Sequence, residues 1–401
     1  MSALLDRLAG EQHLPADDFS DIRRRAQAAL MQHGFPDLKT EDWKYTPLKL
    51  IEKREFSTDE TTAAALPELP FQAQVLHFAN GRLDLDTCDL PAGVRLEPIG
   101  RESLERAEYG DRAGAFAWLN LARFEQGLRL VFESDQEHPL VLALTTSENF
   151  AADVHPRLEV EVAEGVSATL VDLQHNAGAG LVNRVVDIDL ARGARLNHVI
   201  RRGGGDCAWI ERAVVNVHDD ADYRVHVLDC GGRLTRQDLR VHLLAEGASG
   251  EIDGIGLVDT RQHIDYHTAI EHTVGHTKSR ESFRLLGDGS GVGVFNGRIH
   301  IHKGADDSHS DLNTANLLLS ENARINTKPE LEIYAEEVTA SHGATIGQLD
   351  DDAMFYLRSR GIPADEAGAL LKYGFAAAPL EGTEPVEVKE WLQAELKQAL
   401  V

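Results

Sequence analysis

Histidine is the side chain with the greatest chemical potential in this 401-residue sequence, which contains 18 copies. An imidazole can bind a metal ion or transfer a proton near neutral pH. Three places stand out: the group His263, His267, His272 and His276; the alternating pair His300 and His302, with His309 just beyond; and His342 in the segment Ala340–Thr345. These are the first candidates for a functional site.

The spacing within each histidine group indicates whether its rings can lie on one face of a strand. Alternate residues of a strand project from one face, so His300 and His302 could bind a metal together. The alternative, which we favour, is a polar outer face on which they alternate with buried Ile299 and Ile301. Within His263–His276, intervals of four and five do not keep all rings on one strand face, so we expect structural roles there.

Motifs of known catalytic chemistry do not occur. The sequence contains no GxSxG, no HExxH and no GxxxxGK[ST]. The glycines of 287–293 resemble a nucleotide loop but lack the following helix and the lysine, which favours a chain corner. Cys88, Cys207 and Cys230 are widely spaced without a CxxC, so we interpret them as small core residues in a reducing cytoplasm.

A regular spacing of corner residues indicates the scaffold that must position these side chains. From His138 the corners recur every 27 to 29 residues, at Gly165, Gly193, Asp220, Gly247, Gly275 and Gly304. Such a period is typical of stacked coils that cannot bury their apolar faces alone. Each period holds two strands, as in 195–202 and 208–217 with a turn at 203–206. The sequence therefore predicts a mainly β protein with a flattened parallel β-helix core.

Helices are predicted at both ends of this core. Ile22, Ala26 and Leu30 recur every four residues until Gly34 ends the helix. Near the other end we expect one helix after Asp350, a second over 364–373 ended by Gly374, and a last one from Val388. The predicted division is an N-terminal helical region and linker at 1–70, the β-helix core at 71–346, and a C-terminal helical subdomain at 347–401.

Composition excludes several functional classes. The formal net charge of −26 argues against binding to nucleic acid or an anionic membrane. No run approaches 18 apolar residues, and the first 20 residues lack the apolar stretch of a secretory signal. We expect a cytoplasmic protein.

The segment 293–375 resembles the SufB/SufD family of iron–sulfur cluster assembly proteins. The resemblance lies in the motifs Phe295–Ile299, Leu317–Ala323, Lys328–Ile333, Ser341–Gly347 and Met354–Ile362. Residues Lys39–Leu48 are similar to the N-terminal motif of the SufD branch. That motif, the SHGAT form and the chain length favour the SufD branch.

The resemblance implies a non-enzymatic scaffold subunit. It would pair with SufB through the ends of the two β-helices, or form a homodimer, and bind the ABC-type ATPase SufC through its C-terminal helices. His342 would be a ligand at a transient Fe–S cluster shared with SufB, and the assembled complex would bind reduced flavin (FAD). The implied partner contacts are Phe355, Tyr356, Leu357, Arg358, Arg360 and Tyr373.

The sequence departs from the family pattern beside His342. Relatives often have a cysteine two residues earlier, where this chain has Ala340. The thiolates that a nascent cluster needs would then come from the partner. The alternative role of His342 is capping the turn that ends the coil. Two other functions stay open: a β-helix carbohydrate-active enzyme, and a purely structural interaction module.

Overall fold

The computed structural model of the chain describes residues 3–10, 14–56, 65–83, 88 and 90–400. Part of the predicted linker, residues 57–64, lies outside them. The helices, in chain order, are α1 Ala3–Ala9, α2 Ser20–His33, α3 Lys49–Glu52, α4 Arg101–Arg106, α5 Ala115–Arg123, α6 Asp351–Ser359, α7 Ala364–Ala376 and α8 Val386–Ala399. The short helices α4 and α5 were not predicted. They interrupt the first strands of the core.

Two long, mainly parallel sheets form the body of the molecule, and successive strands of the solenoid alternate between them. In spatial order, sheet A contains β2 Arg82–Leu83, β1 Gln74–Ala79, β5 Leu140–Thr146, β8 Ser167–Asn176, β10 Arg195–Gly204, β12 Asp222–Asp229, β14 Ser249–Val258, β16 Lys278–Gly287, β18 His309–Leu318 and β20 Thr339–Gly347. Sheet B contains β19 Arg324–Ile333, β17 Val292–Ile301, β15 His263–His272, β13 Leu234–Leu243, β11 Ala208–Val217, β9 Leu181–Leu190, β7 Arg157–Val162, β4 Gly127–Phe132 and β3 Val94–Pro98, with β6 Asp153–Val154 paired to β9. The predicted flattened parallel β-helix is confirmed.

Side chains from the facing sides of the two sheets fill the interior. Because strand residues alternate in direction, each inward side chain stacks on its register partner in the next coil. The resulting columns are largely aliphatic and aromatic, with members such as Leu196, Tyr223, Val215 and Val241 almost fully buried. Burial of this large apolar core stabilises strands that pair with partners distant in the sequence.

The corners of the coils form a ladder of their own, with a correction to the predicted spacing. Gly165, Gly193, Asp220 and Gly247 all have a positive φ, as a left-handed corner requires. The next two corners were predicted at Gly275 and Gly304, and this is wrong. His276 and Asp307, each with φ 57°, occupy them. Consecutive strand starts there lie further apart, from Ser249 to Lys278 and then to His309, so a constant period slips out of register.

Helices cover the outer faces of the two sheets. The first five helices cover part of sheet B, where Ile22, Ala26 and Leu30 of α2 are buried. The last helix, α8, covers sheet A through Val388, Leu392 and Leu396. Gly34 ends α2 as predicted, whereas Gly374 does not end α7, which continues to Ala376. Among the described residues, no helix combines the length and the apolar character needed to cross a bilayer.

Candidate functional site

The last coil of the solenoid leaves both sheets with an open edge at the same end. Strand β19 ends sheet B and strand β20 ends sheet A, and each pairs with only one strand in the described part of the chain. The opposite end differs, because β2 and β3 close it as antiparallel strands. Unpaired N–H and C=O groups on a sheet edge can pair with another chain. The last coil is therefore the end suited to association.

Core columns of the solenoid run out to this open end and stop there. On β19, Ile325, Leu331 and Ile333 continue the columns of Gly293, Ile299 and Ile301. Their exposure rises because no further coil stacks on them, and Ile333 is 41% exposed. On β20, Ile346 continues the column of Asn316 and is 45% exposed. The end of the molecule is thus a cross-section of its own apolar core.

His342 lies in the middle of this cross-section. It is the fourth residue of β20, and its register partner is the fully buried Leu312. It shares the inward face of the strand with Ala340, which packs against the core, while the neighbouring Ser341 hydroxyl donates to Asp311 on the outer side. The alternative prediction of a turn-capping residue is wrong, because His342 lies within a strand and is solvent-exposed.

Thiols lie far from His342 along the stack. Cys207 precedes β11 and Cys230 follows β12, and β12 is separated from β20 by four strand spacings, roughly 19 Å. Burial raises the pKa of Cys207 to about 12 and that of Cys230 to about 11. Because a thiolate is the form that binds iron or sulfur, neither thiol is prepared for that chemistry.

The C-terminal helices place most of the predicted partner residues on one exposed surface. The carboxylate of Asp350 accepts from the backbone N–H of Asp352 and of Ala353, at 2.8 and 3.1 Å, and so begins α6 as predicted. Nothing on α6 is buried; Phe355 is 74% and Tyr356 57% exposed.

Basic and apolar groups share this surface, which we call the α6 surface: Phe355, Tyr356, Arg358 and Arg360. The Arg360 guanidinium lies 5.1 Å from the centre of the Tyr356 ring, and Arg358 is exposed. Exposed aromatic and arginine side chains are the usual anchors of protein interfaces.

Two of the predicted contacts lie apart from this surface. Leu357 is partly buried on the other side of α6. Tyr373 of α7 faces α8, where the Lys397 ammonium lies 4.9 Å from its ring centre, and burial raises its pKa. Tyr373 therefore helps to attach helices α6 and α7 to the body of the molecule.

The N-terminal motif 39–48 is anchored on the outer face of sheet B. The Arg236 guanidinium lies 4.2 Å from the Trp43 ring, and the Thr46 hydroxyl lies 2.9 Å from Nε2 of His263. Lys328 of β19 contacts Glu41 at 3.0 Å, and its hydrogen bonds to Glu330 and Glu41 raise its pKa to about 12. The motif therefore reaches the last coil.

The histidine group 263–276 does not converge on one point, as its spacing predicted. His263 is buried beneath the N-terminal motif. His272 faces the interior, where its ring nitrogens contact Thr277 Oγ1 at 2.7 Å and Ser279 Oγ at 2.9 Å. His276 forms an exposed corner. These rings have separate structural roles.

Comparison with known proteins assigns the class. The family model described as "SUF system FeS cluster assembly, SufBD core domain" matches residues 143–375, which is more than half of the chain. The chain belongs to this family of iron–sulfur cluster assembly proteins.

The relatives point to one branch of the family. The chain is 29% identical over 391 residues to the iron-sulfur cluster assembly protein SufD of Escherichia coli, covering 92% of this chain and 90% of that protein. It is 28% identical to a SufBD family protein of Synechocystis sp., covering 90% and 86%. It is 24% identical to the chloroplastic protein ABCI7 of Arabidopsis thaliana, covering 94% and 86%. The chain is thus similar to SufD over nearly its whole length.

Proposed function

We propose that this chain is a non-enzymatic scaffold subunit of a cytoplasmic SUF assembly complex, which pairs with SufB through the open end of its solenoid. The observation that carries the proposal is the last coil: two unpaired edge strands surround an apolar cross-section that contains His342. A second solenoid could continue both sheets there and bury that cross-section. A second copy of this chain would use the same edges when SufB is absent.

The cluster is the substrate assembled at this interface. His342 would offer one imidazole ligand from the centre of the face. The partner would supply thiolates, because Ala340 has no sulfur and Cys207 and Cys230 lie several coils away. The membership of the family favours this role over carbohydrate chemistry, for which fold alone would be the argument.

SufC would bind the α6 surface. This surface presents aromatic and arginine side chains to solvent. The predicted set of contacts is accordingly reduced to Phe355, Tyr356, Arg358 and Arg360. Leu357 and Tyr373 would hold helices α6 and α7 in position without contacting SufC.

We assign no step to flavin. The glycine-rich segment 287–293 forms the turn from β16 to β17, and a strand rather than a helix follows it. It therefore lacks the helix N-terminus on which a dinucleotide phosphate commonly binds.

The test is coexpression with SufB and SufC of the same genome, followed by affinity capture and iron analysis. Ile346→Asp places a charge in the open face and should abolish capture of SufB. Leu244→Asp, at an apolar position 36% exposed at the end of β13, is the matched control and should retain it. Equal capture by the two variants would contradict the proposed interface.

His342 is tested in the same complex. His342→Ala should leave the subunits together but lower the iron and sulfide bound by the complex. Full cluster content in that variant would instead support a purely structural interaction module.

A further inference from the structure

The outer face of sheet B brings together three side chains from two neighbouring coils. Glu271 of β15 and His300 of β17 are register partners, and His302 follows β17 immediately. Nδ1 of His300 lies 2.9 Å from Oε2 of Glu271, and Nε2 of His302 lies 2.8 Å from the same oxygen. One ligand atom from each of the three residues lies within 4.8 Å of the other two.

We propose that Glu271, His300 and His302 form a binding site for a divalent first-row transition metal ion. Two imidazoles and one carboxylate are the donor set of open zinc and non-haem iron(II) sites, in which further positions are left to water or another ligand. The site is independent of the proposed pairing with SufB and SufC.

Neighbouring groups hold the three donors in place. Nη2 of Arg298 donates to Oε1 of Glu271 at 2.8 Å and leaves Oε2 facing the imidazoles. The two rings are stacked, with centres 4.0 Å apart and planes at 18°, and the edge of Tyr334 packs against His300 at 5.4 Å. Groups that orient a ligand from behind commonly determine metal affinity. A metal ion would enter with small outward movements of donors that already converge.

Exposure and charge are consistent with a reversible site. The side chains of Glu271, His300 and His302 are 12%, 20% and 41% exposed, so the donors are partly desolvated but reachable from solvent. His242 precedes Glu271 in the same outward column and could contribute a fourth nitrogen. The positive charge of Arg298 opposes a cation, so we expect exchangeable binding rather than a permanent structural metal.

Cobalt and zinc titrations of the chelator-treated, full-length chain test the site. Co²⁺ should bind with a stoichiometry of one, with visible d–d absorption that Zn²⁺ removes by competition. Anaerobic Fe²⁺ should displace Co²⁺ only at a higher concentration than Zn²⁺, because Fe²⁺ precedes Co²⁺ in the Irving–Williams order. His302→Asn changes a residue beyond the end of the strand, so the fold should be retained; Glu271→Gln removes the shared carboxylate.

Each variant should weaken Co²⁺ binding by about tenfold or more. His218→Asn is the matched control, because His218 also lies beside a carboxylate, Asp189 at 3.3 Å, on the same outer face. It should bind Co²⁺ as the unmodified chain does. Absence of saturable binding, or equal affinity in His302→Asn, Glu271→Gln and the control, would overturn the proposal. Neither result bears on capture of SufB or SufC.

Discussion

Glu281 and His342 occupy one inward-facing column of the solenoid, two coils apart, with Leu312 between them. Leu312 and Glu281 are both fully buried, whereas His342 is exposed at the open end. The same column thus contains a buried carboxyl group at Glu281 and ends in an accessible imidazole at His342. The difference follows from position in the stack, because only the last coil lacks a covering neighbour.

The buried carboxyl of Glu281 predicts a pH-dependent stability. Burial raises its pKa to about 8, and the nearby charge of Asp253 adds to this effect. The folded chain therefore keeps a proton that the unfolded chain releases above about pH 4.5. Because the unfolded state binds fewer protons across this range, the free energy of unfolding should fall as pH rises from 4.5 to 8, by roughly 3 to 5 kcal/mol from this group.

Urea unfolding at pH 5 and pH 8 measures this contribution. The stability of Glu281→Gln relative to the unmodified chain should be greater at pH 8 than at pH 5. Glu321→Gln, at an exposed turn, should keep the original pH dependence. If Glu281→Gln shows the same change between the two pH values as Glu321→Gln, the group is not buried as a neutral acid.

A buried ion-pair network predicts a large loss of stability on removing one partner. Inside the solenoid, Arg184 contacts Asp172 and also Glu211 at 3.2 Å, with all three side chains 2% exposed. Burial alone would raise the pKa of Asp172, but the charges and hydrogen bonds of Arg184 and His198 together outweigh it, and the pKa is lowered. Arg184→Met leaves two buried carboxylates without this cation and should cost about 3 to 5 kcal/mol at pH 7.

An exposed pair on the same scaffold is the control for this prediction. Arg192 and Glu164 lie 3.4 Å apart and both are about two-thirds exposed. Arg192→Met should change the free energy of unfolding by less than about 1 kcal/mol. Similar losses in the two variants would show that the interior pair is hydrated rather than buried.

The buried thiol of Cys207 and the partly buried thiol of Cys230 should react slowly in the folded chain. At pH 7.5 very little of Cys207 or Cys230 is ionised, because burial raises their pKa values to about 12 and about 11. Alkylation followed by peptide mass spectrometry should modify both slowly, and rapidly only in denaturant. Ser134→Cys, in an exposed turn, supplies an internal standard. Rapid labelling of Cys230 at the rate of residue 134 would contradict this.

Most of the solenoid could be predicted because its corners and its alternating strands are local signals. The positions of the last two corners could not be predicted, since His276 and Asp307 replace glycine there and the coils are longer. Helix α5 was missed for a different reason. It is buried nearly all round, so no polar face reveals its helical period.

The candidate sites divide in the same way. His342 and the α6 residues could be chosen from motifs, and Asp350 from capping chemistry. The convergence of Glu271 on His300 and His302 could not, because 29 residues separate register partners and nothing local marks the carboxylate. Tyr373 was grouped with the α6 residues because the family resemblance implied it, yet the fold places it against α8.

The exposure of the α6 surface predicts that SufC binding can be lost without loss of folding. Phe355 is 74% exposed, so Phe355→Ala and Arg358→Glu should leave the melting temperature within about 2 °C. A buried aromatic anchor in the complex commonly contributes more than about 1 kcal/mol, so the affinity for SufC should fall at least about fivefold in each variant. Calorimetric titration with purified SufC measures this. Val386→Ala, 59% exposed at the start of α8, should bind as the unmodified chain does. Unchanged affinity in both α6 variants would exclude this surface as the binding site for SufC.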